Sequence, residues 1–264
     1  MHHFFTGGKA IDRQTGMVRL DGQDVNHIRN VLRMKPGEAI LVSDGLEQDY
    51  EGRILALSEE EVLIGELVSV EGRELPASIT LYQGLPKADK MELIIQKAVE
   101  LGADRIVPVA TKNAVVKLDE KKAEAKRKRW QAIAESAAKQ SKRSRIPEIG
   151  PVLSLKEAAK EAEGTLGFFA YENEQGMTGT AECLKKAVPG ERISVFIGPE
   201  GGFDESEAEF ARQAGIYPVS LGKRILRTET AGLALLSVLM MQLEILAKPQ
   251  ENGEQAKGQA GIQQ

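Results

Sequence analysis

Over the first seventy residues the apolar positions come in short runs. β-Branched and alternating residues fill "AILVSD" (39–44), "YEGRILALS" (50–58) and "EVLIGELVSV" (61–70). The turn-forming clusters "PGE", "DGLEQD" and "SEEE" separate them, a rhythm that predicts the strands of a compact β-barrel. One segment breaks the period. Across 24–34, "DVNHIRNVLRM", Ile28, Val31 and Leu32 fall on one side of a helix and Asn26, Arg29, Asn30 and Arg33 on the other. That polar stripe, with His27 at its edge, suits either solvent or contacts to phosphates and bases.

From about residue 76 the pattern changes to strands alternating with helices. "SITLYQGL" (78–85) precedes "KADKMELIIQKAVELG" (87–102), in which Met91, Ile94, Ile95, Ala98 and Leu101 share a helix face and Gly102 ends it. The strand "RIVPVA", a long basic helix near 119–141 and a helix in "SLKEAAKEAE" follow. Then come the strand "TLGFFAYE", a helix around 178–187 and the strand "RISVFIG". Asp204 and Glu207 have the spacing of a capping box at the start of a further helix. The strand "YPVSLG" leads into a last helix that is almost wholly apolar from 231 to 241. Gln242 and Glu244 interrupt it before the length of about 20 residues that a membrane span needs, so it reads as a buried core or interface helix. The alternation predicts an α/β domain with a mostly parallel sheet. "KPQENGEQAKGQAGIQQ" is polar and rich in Gly and Gln, the composition of a disordered tail. The expected organisation is a barrel over 1–73, an α/β domain over 74–248 and a tail over 249–264.

Composition narrows the class. A chain of 264 residues with 42% hydrophobic and 28% charged residues is an ordinary soluble protein of one large or two moderate domains. The single cysteine, Cys183, excludes a disulfide framework and a Cys-rich metal site, and its place in an amphipathic helix suits a packed thiol. The first residues carry neither the apolar core nor the cleavage pattern of a signal peptide, which leaves the cytoplasm as the default. A net charge of -4 argues against a general nucleic-acid binder, yet the positive charge is concentrated. "KKAEAKRKRW" (121–130) and "KQSKRSR" (139–145) hold ten Lys or Arg residues between them, and Lys87 and Lys90 precede the helix at 91. The first run suits a solvated helix face. The second leaves its helix as a Ser/Lys/Arg loop ending at Pro147, a form that grips phosphates, so RNA or DNA becomes a reasonable partner.

Parallel sheets bind ligands at the carboxyl ends of their strands. Two loops at such ends, "VFIGPEGGFDESE" (195–207) and "VSLGKRILRTETAG" (219–232), each open into a helix whose N-terminal amides favour anionic groups. Tight strand-to-helix turns would account for Gly198, Gly201 and Gly202 singly; two such loops in neighbouring units point to a ligand site. Neither GxxxxGK[ST] nor GxGxxG occurs, which removes the P-loop and the dinucleotide fingerprint. HExxH is also absent and His2, His3 and His27 lack convincing ligand spacing, so no metal is expected.

"IGPEGGF" (197–203), "LGKRILRTETA" (221–231), "KADKMELIIQKAVELG" (87–102) and "ESAAKQSKRSRIPEI" (135–149) together resemble the RsmE family of 16S ribosomal RNA uracil-N3 methyltransferases. "HIRNVLRMKPGE" (27–38) extends the resemblance through nearly the whole chain. It implies a C-terminal α/β domain of the SPOUT superfamily, tied in a deep trefoil knot, beside a small PUA-like RNA-binding β-barrel. Topology rules alone would not propose a knot. It also implies a homodimer joined at the knotted region, in accord with a last helix too apolar to face water.

The same resemblance implies S-adenosylmethionine as cofactor and 16S rRNA, within the small ribosomal subunit, as substrate. Carried onto this chain, cofactor binding falls to Ile197, Gly198, Glu200, Gly202, Leu221, Gly222, Ile225, Leu226, Thr230 and Ala231, with Phe169 to Glu172 as a further wall. Uracil N3 becomes a good nucleophile only as its proton leaves, so positioning, a base and a cation beside the developing imide anion would carry the chemistry. Arg227 is expected to stabilise charge or position a phosphate, and Glu229 to act as base or to orient the loop. The expected RNA contacts are Arg29, Arg33, Lys87, Lys90, Lys139, Lys142 and Arg143. A non-catalytic RNA-binding module of the same fold, or a related enzyme with another RNA target, remains compatible with these residues.

Overall fold

A computed structural model describes residues 1–6, 12, 15–46, 48–174 and 176–247. The expected tail lies outside the described residues. The first unit holds strands β1 (His2–Phe5), β2 (Val18–Asp21), β3 (Ala39–Ser43), β4 (Asp49–Leu57) and β5 (Glu61–Val70). They pair in the order β1-β3-β4-β5-β2, a sheet whose hydrogen-bonded order is open at its two ends. Alternation sets its faces: Val18 and Leu20 of β2 and Val62 and Ile64 of β5 point into one apolar cluster with Phe4, Ile40 and Val42.

The helix expected over 24–34 is shorter and changes pitch. α1 (Gln23–Asn26) passes into a π-helical turn at His27–Val31, with Leu32 N–H bonded to the His27 carbonyl at 2.9 Å. The wider turn shifts the phase of the side chains. Ile28 is fully buried as expected, but Val31 is 63% exposed, and Arg33 leaves the helix at φ 54°.

The second unit alternates as the pattern predicts. Its elements are β6 (Ser78–Gly84), α2 (Lys90–Glu100), β7 (Arg105–Ala110), α3 (Glu120–Ser141), β8 (Glu148–Ile149), β9 (Leu153–Ser154), α4 (Leu155–Glu161), β10 (Leu166–Ala170), α5 (Met177–Leu184), β11 (Arg192–Ile197), α6 (Glu205–Gln213), β12 (Tyr217–Val219) and α7 (Thr228–Leu246). The strands lie in the order β12-β10-β11-β6-β7-β8, with β9 also on β7, and every pairing is parallel. Helices cover both faces, so strand residues of either parity are apolar. Ile193, Val195 and Ile197 of β11 join the cluster under α2, α3 and α7, while Phe196 turns to the other cluster, where it stacks on Tyr82 at 4.5 Å between centroids.

Local signals end and start the helices. Gly102 follows α2 at φ 90°, and an added Cβ there would overlap the Leu75 side chain. Asp204 and Glu207 form the expected capping box of α6. α7 is long and apolar enough to cross a membrane, yet Leu235, Leu236, Leu239 and Leu243 are buried in the core of this domain. Its other face leaves Val238, Met241, Ile245 and Leu246 exposed.

A buried polar clasp joins the two units. Asp49 of β4, with no exposed surface, accepts hydrogen bonds from the hydroxyls of Ser43 and, at 2.8 Å, Ser144. The Ser144 and Arg145 amides donate to Glu74 in the connecting segment, at 2.8 and 3.1 Å. Lys139 reaches from α3 to Asp24 of α1 at 3.1 Å.

Candidate functional site

The carboxyl ends of β6, β10, β11 and β12 lie side by side in the parallel sheet, so their following loops converge. Close approach is built in by glycine. A Cβ on Gly84, the last residue of β6, would sit 2.6 Å from the backbone nitrogen of Pro199 in the loop after β11. Gly202, at φ 64°, completes that loop in the left-handed region. From the far side Asn113 donates to the Gly201 carbonyl at 3.0 Å.

The start of α7 is stitched to the same loop. Thr228 donates its hydroxyl to the Gly198 carbonyl at 2.6 Å and accepts from the fully buried Gln83 amide at 2.9 Å. Neither residue stands among the sequence-predicted site residues. The signal available for Gln83 was an amide inside an otherwise apolar strand, "ITLYQGL". Upstream, Thr180 of α5 exchanges hydrogen bonds with the backbone of Ser220, one of them at 2.8 Å. Between these two anchors the chain is open. Among the described residues, the backbone N–H groups of 221–226 make one hydrogen bond, from Gly222 to the Ser220 hydroxyl at 3.4 Å.

These loops enclose a cavity of about 340 Å³, within the range of small-molecule sites. Of the ten residues expected at a cofactor, Ile197, Gly198, Glu200, Gly202, Leu221, Gly222, Ile225, Leu226 and Ala231 line it; Thr230 is exposed and does not. Ala170, Tyr171 and Glu172 form the further wall, whereas Phe169 is buried beneath it. Open backbone amides, the apolar Leu221, Ile225 and Leu226, and two carboxylates fit a ligand with a flat heteroaromatic ring and a cationic end, as S-adenosylmethionine has. Ile225, 88% exposed at the cavity, is a surface such a ring would cover.

Charge is arranged on two levels. Lys223, Arg224 and Arg227 are exposed on the rim. Deeper, Lys90 lines the cavity from the first turn of α2, with its Nζ 2.9 Å from Glu200 and 3.3 Å from Glu229. The hydrogen bond to Glu200 is the main cause that raises the Lys90 pKa above its ordinary value. Burial opposes ionisation of Glu200, but the Lys90 contact and the Lys87 backbone N–H at 3.1 Å outweigh it and lower its pKa. Glu229 is not on the cavity lining; its Oε2 is buried, without an aligned hydrogen bond, and faces the Lys90 charge. Its geometry suits a residue that orients the loop.

A family model described as an RNA methyltransferase domain matches residues 73–240, and one described as an RNA methyltransferase PUA domain matches 20–67. The Bacillus subtilis protein named ribosomal RNA small subunit methyltransferase E is 39% identical over 233 residues, covering 86% of this chain and 91% of that one. The chain belongs to the ribosomal RNA small subunit methyltransferase E family. A member from Synechocystis is 32% identical over 86% of this chain and 74% of its own. The solved structure of a member from Neisseria gonorrhoeae, bound to S-adenosyl methionine, superposes with a TM-score of 0.79 at 32% identity. It covers 92% of this chain and 98% of that one.

The expected RNA contacts of this family member fall into two groups. Arg33 and Lys87 are exposed, and Arg29 and Lys142 are half-buried, Arg29 within 3.9 Å of Glu59. Lys90 and Lys139 are engaged in ion pairs with carboxylates of their own chain. Arg143 requires correction. It is 3% exposed and its guanidinium is held by Glu74, by Asp104 at 2.8 Å and by the carbonyls of Val99 and Ala103. The loop that looked free to grip phosphate instead turns this side chain inward at the left-handed end of α3, where it closes the junction between the two units.

Proposed function

We propose that this chain is an S-adenosylmethionine-dependent methyltransferase that modifies N3 of a uridine in 16S rRNA, acting on the small ribosomal subunit in the cytoplasm. The observation that carries the reading is the cavity itself: three strand-end loops, closed on one another through Gly84, Gly198 and Thr228, present open backbone amides between two carboxylates and a cationic rim. When bound, the cofactor supplies an electrophilic methyl group on a sulfonium. The loop at 221–226 would hold the adenine by main-chain contacts, and Glu172 and Glu200 would favour the positively charged end. Arg227, exposed at the N-cap of α7 and on the cavity lining, is placed to receive a phosphate or charge of the incoming RNA.

The PUA unit presents Arg29 and Arg33 from the turn after α1 as further backbone contacts. A second copy of the chain would cover the exposed face of α7 around Val238, Met241 and Ile245. Calorimetric titration of the protein with S-adenosylmethionine tests the site. Binding with one equivalent per chain, lost in Gly202→Val, is expected; no binding to the intact chain would overturn the reading.

A further inference from the structure

Lys90 carries more than a contact to RNA backbone. An ammonium group has three N–H donors. Glu200 stands 2.9 Å from it and Glu229 pairs with its charge at 3.3 Å, so a donor remains for the cavity that the side chain lines. The pair of carboxylates comes from two different segments, Glu200 from the loop after β11 and Glu229 from the first turn of α7, while Lys90 comes from a third, the first turn of α2. Glu200 is itself fixed by the Lys87 backbone N–H at 3.1 Å. The cation is therefore held in place from two sides before any substrate arrives. It is also costly where it stands, at the N-terminal end of α2, since a helix N-terminus repels positive charge. The two carboxylates offset that repulsion and leave the cluster with a net charge of about -1, which tolerates a neighbouring sulfonium.

We propose that Lys90 is a catalytic residue of the methyl transfer, its remaining N–H binding a carbonyl oxygen that flanks the reacting imide nitrogen of the RNA base. The assignment rests on the uridine N3 reading given above. As the N3 proton leaves to water in the cleft, negative charge spreads from nitrogen onto the two adjacent carbonyl oxygens. A fixed cation on one of them stabilises that anion more than the neutral base, and so acts in the transition state. The nitrogen lone pair then forms the N–CH3 bond while the C–S bond breaks and its electron pair passes to sulfur. Glu229 and Glu200 act through Lys90 as positioning residues. The raised pKa of Lys90, set chiefly by Glu200, keeps it charged throughout.

The test is the pH dependence of single-turnover methylation of unmodified small subunits, with cofactor affinity measured separately by calorimetry. Lys90→Gln is expected to lower the rate at neutral pH by about 100-fold and to move the rising limb of the profile up by about one pH unit. Cofactor affinity should stay within about threefold, since the residue stabilises charge on the base. Lys90→Arg, which keeps the cation, is expected to leave the limb at its wild-type position and to recover part of the rate. An unmoved limb in Lys90→Gln, or a loss of rate matched by loss of cofactor affinity, would overturn the assignment and leave the methyltransferase reading intact. Should Lys90→Gln fail to fold, the arginine variant decides: a shifted limb there overturns the assignment. Absence of transfer by the wild-type protein would instead remove the N3 reading, and this one with it.

Discussion

Arg227 and Gly84 separate the two demands on the cleft, chemistry and shape. Arg227 is exposed, belongs to no ion pair among the described residues and lines the cavity, so Arg227→Ala should spare the cofactor site. Turnover is expected to fall about 100-fold with the cofactor Kd changed less than about threefold; steady-state kinetics beside calorimetry checks both. Gly84→Ala should do the reverse, because its Cβ would overlap the Pro199 backbone at 2.6 Å and push the loop that carries Gly198 and Glu200. Cofactor affinity is expected to drop at least about tenfold, read in the same titration. The glycine-flanked loops were legible from residue type and position at strand ends. The pairing of Gln83 with Thr228 is not legible: an amide in an apolar strand marks Gln83, but nothing local marks a hydrogen-bond partner 145 residues away.

The capping box of α6 is the element whose sequence signal and structure agree most closely. The Ser206 hydroxyl, and after it Lys112, hold the Asp204 pKa down to about 2, from an ordinary 3.8. A depressed carboxylate contributes stability above its unfolded pKa and loses it as the pH falls through the folded value. The difference in Tm between wild type and Asp204→Ala should therefore be constant above about pH 5 and shrink as the pH falls towards and through about 2; thermal melts across that range measure it. α7 gives a contrast between its own two faces. Leu239, with no exposed surface, is expected to cost about 2–5 kcal/mol on mutation to Ala, while Met241→Ser, 57% exposed, should change stability by less than about 0.5 kcal/mol and, if the proposed second copy covers this face, weaken that association. Denaturant titration and sedimentation distinguish the two. The apolar run predicted that α7 is buried, but a nearly uniform run cannot say which face meets the core. Similarly, Val31 departs from the helical phase expected over 24–34 because a π turn carries no distinct composition.

At the scale of the molecule, the alternating pattern and the switch of rhythm near residue 76 were enough for two units and a parallel sheet. What held the units together was hidden. "KQSKRSR" reads as a phosphate-binding loop, yet Arg143 and Ser144 are spent on Glu74, Asp104 and Asp49, partners drawn from three distant segments. Removing the guanidinium in Arg143→Met would leave two carboxylates uncompensated at a buried junction, at a cost of about 3–5 kcal/mol. The KM for RNA is expected to rise more than the cofactor Kd, as the PUA unit loses its fixed distance from the cleft. The reaction carried out in the assembled cleft is the central claim. Labelled S-adenosylmethionine supplied with small subunits lacking the modification, followed by nuclease digestion and mapping of the label, tests it most directly. The expected product is one N3-methyluridine per 16S rRNA; label on another atom or another RNA, or no transfer at all, would contradict it.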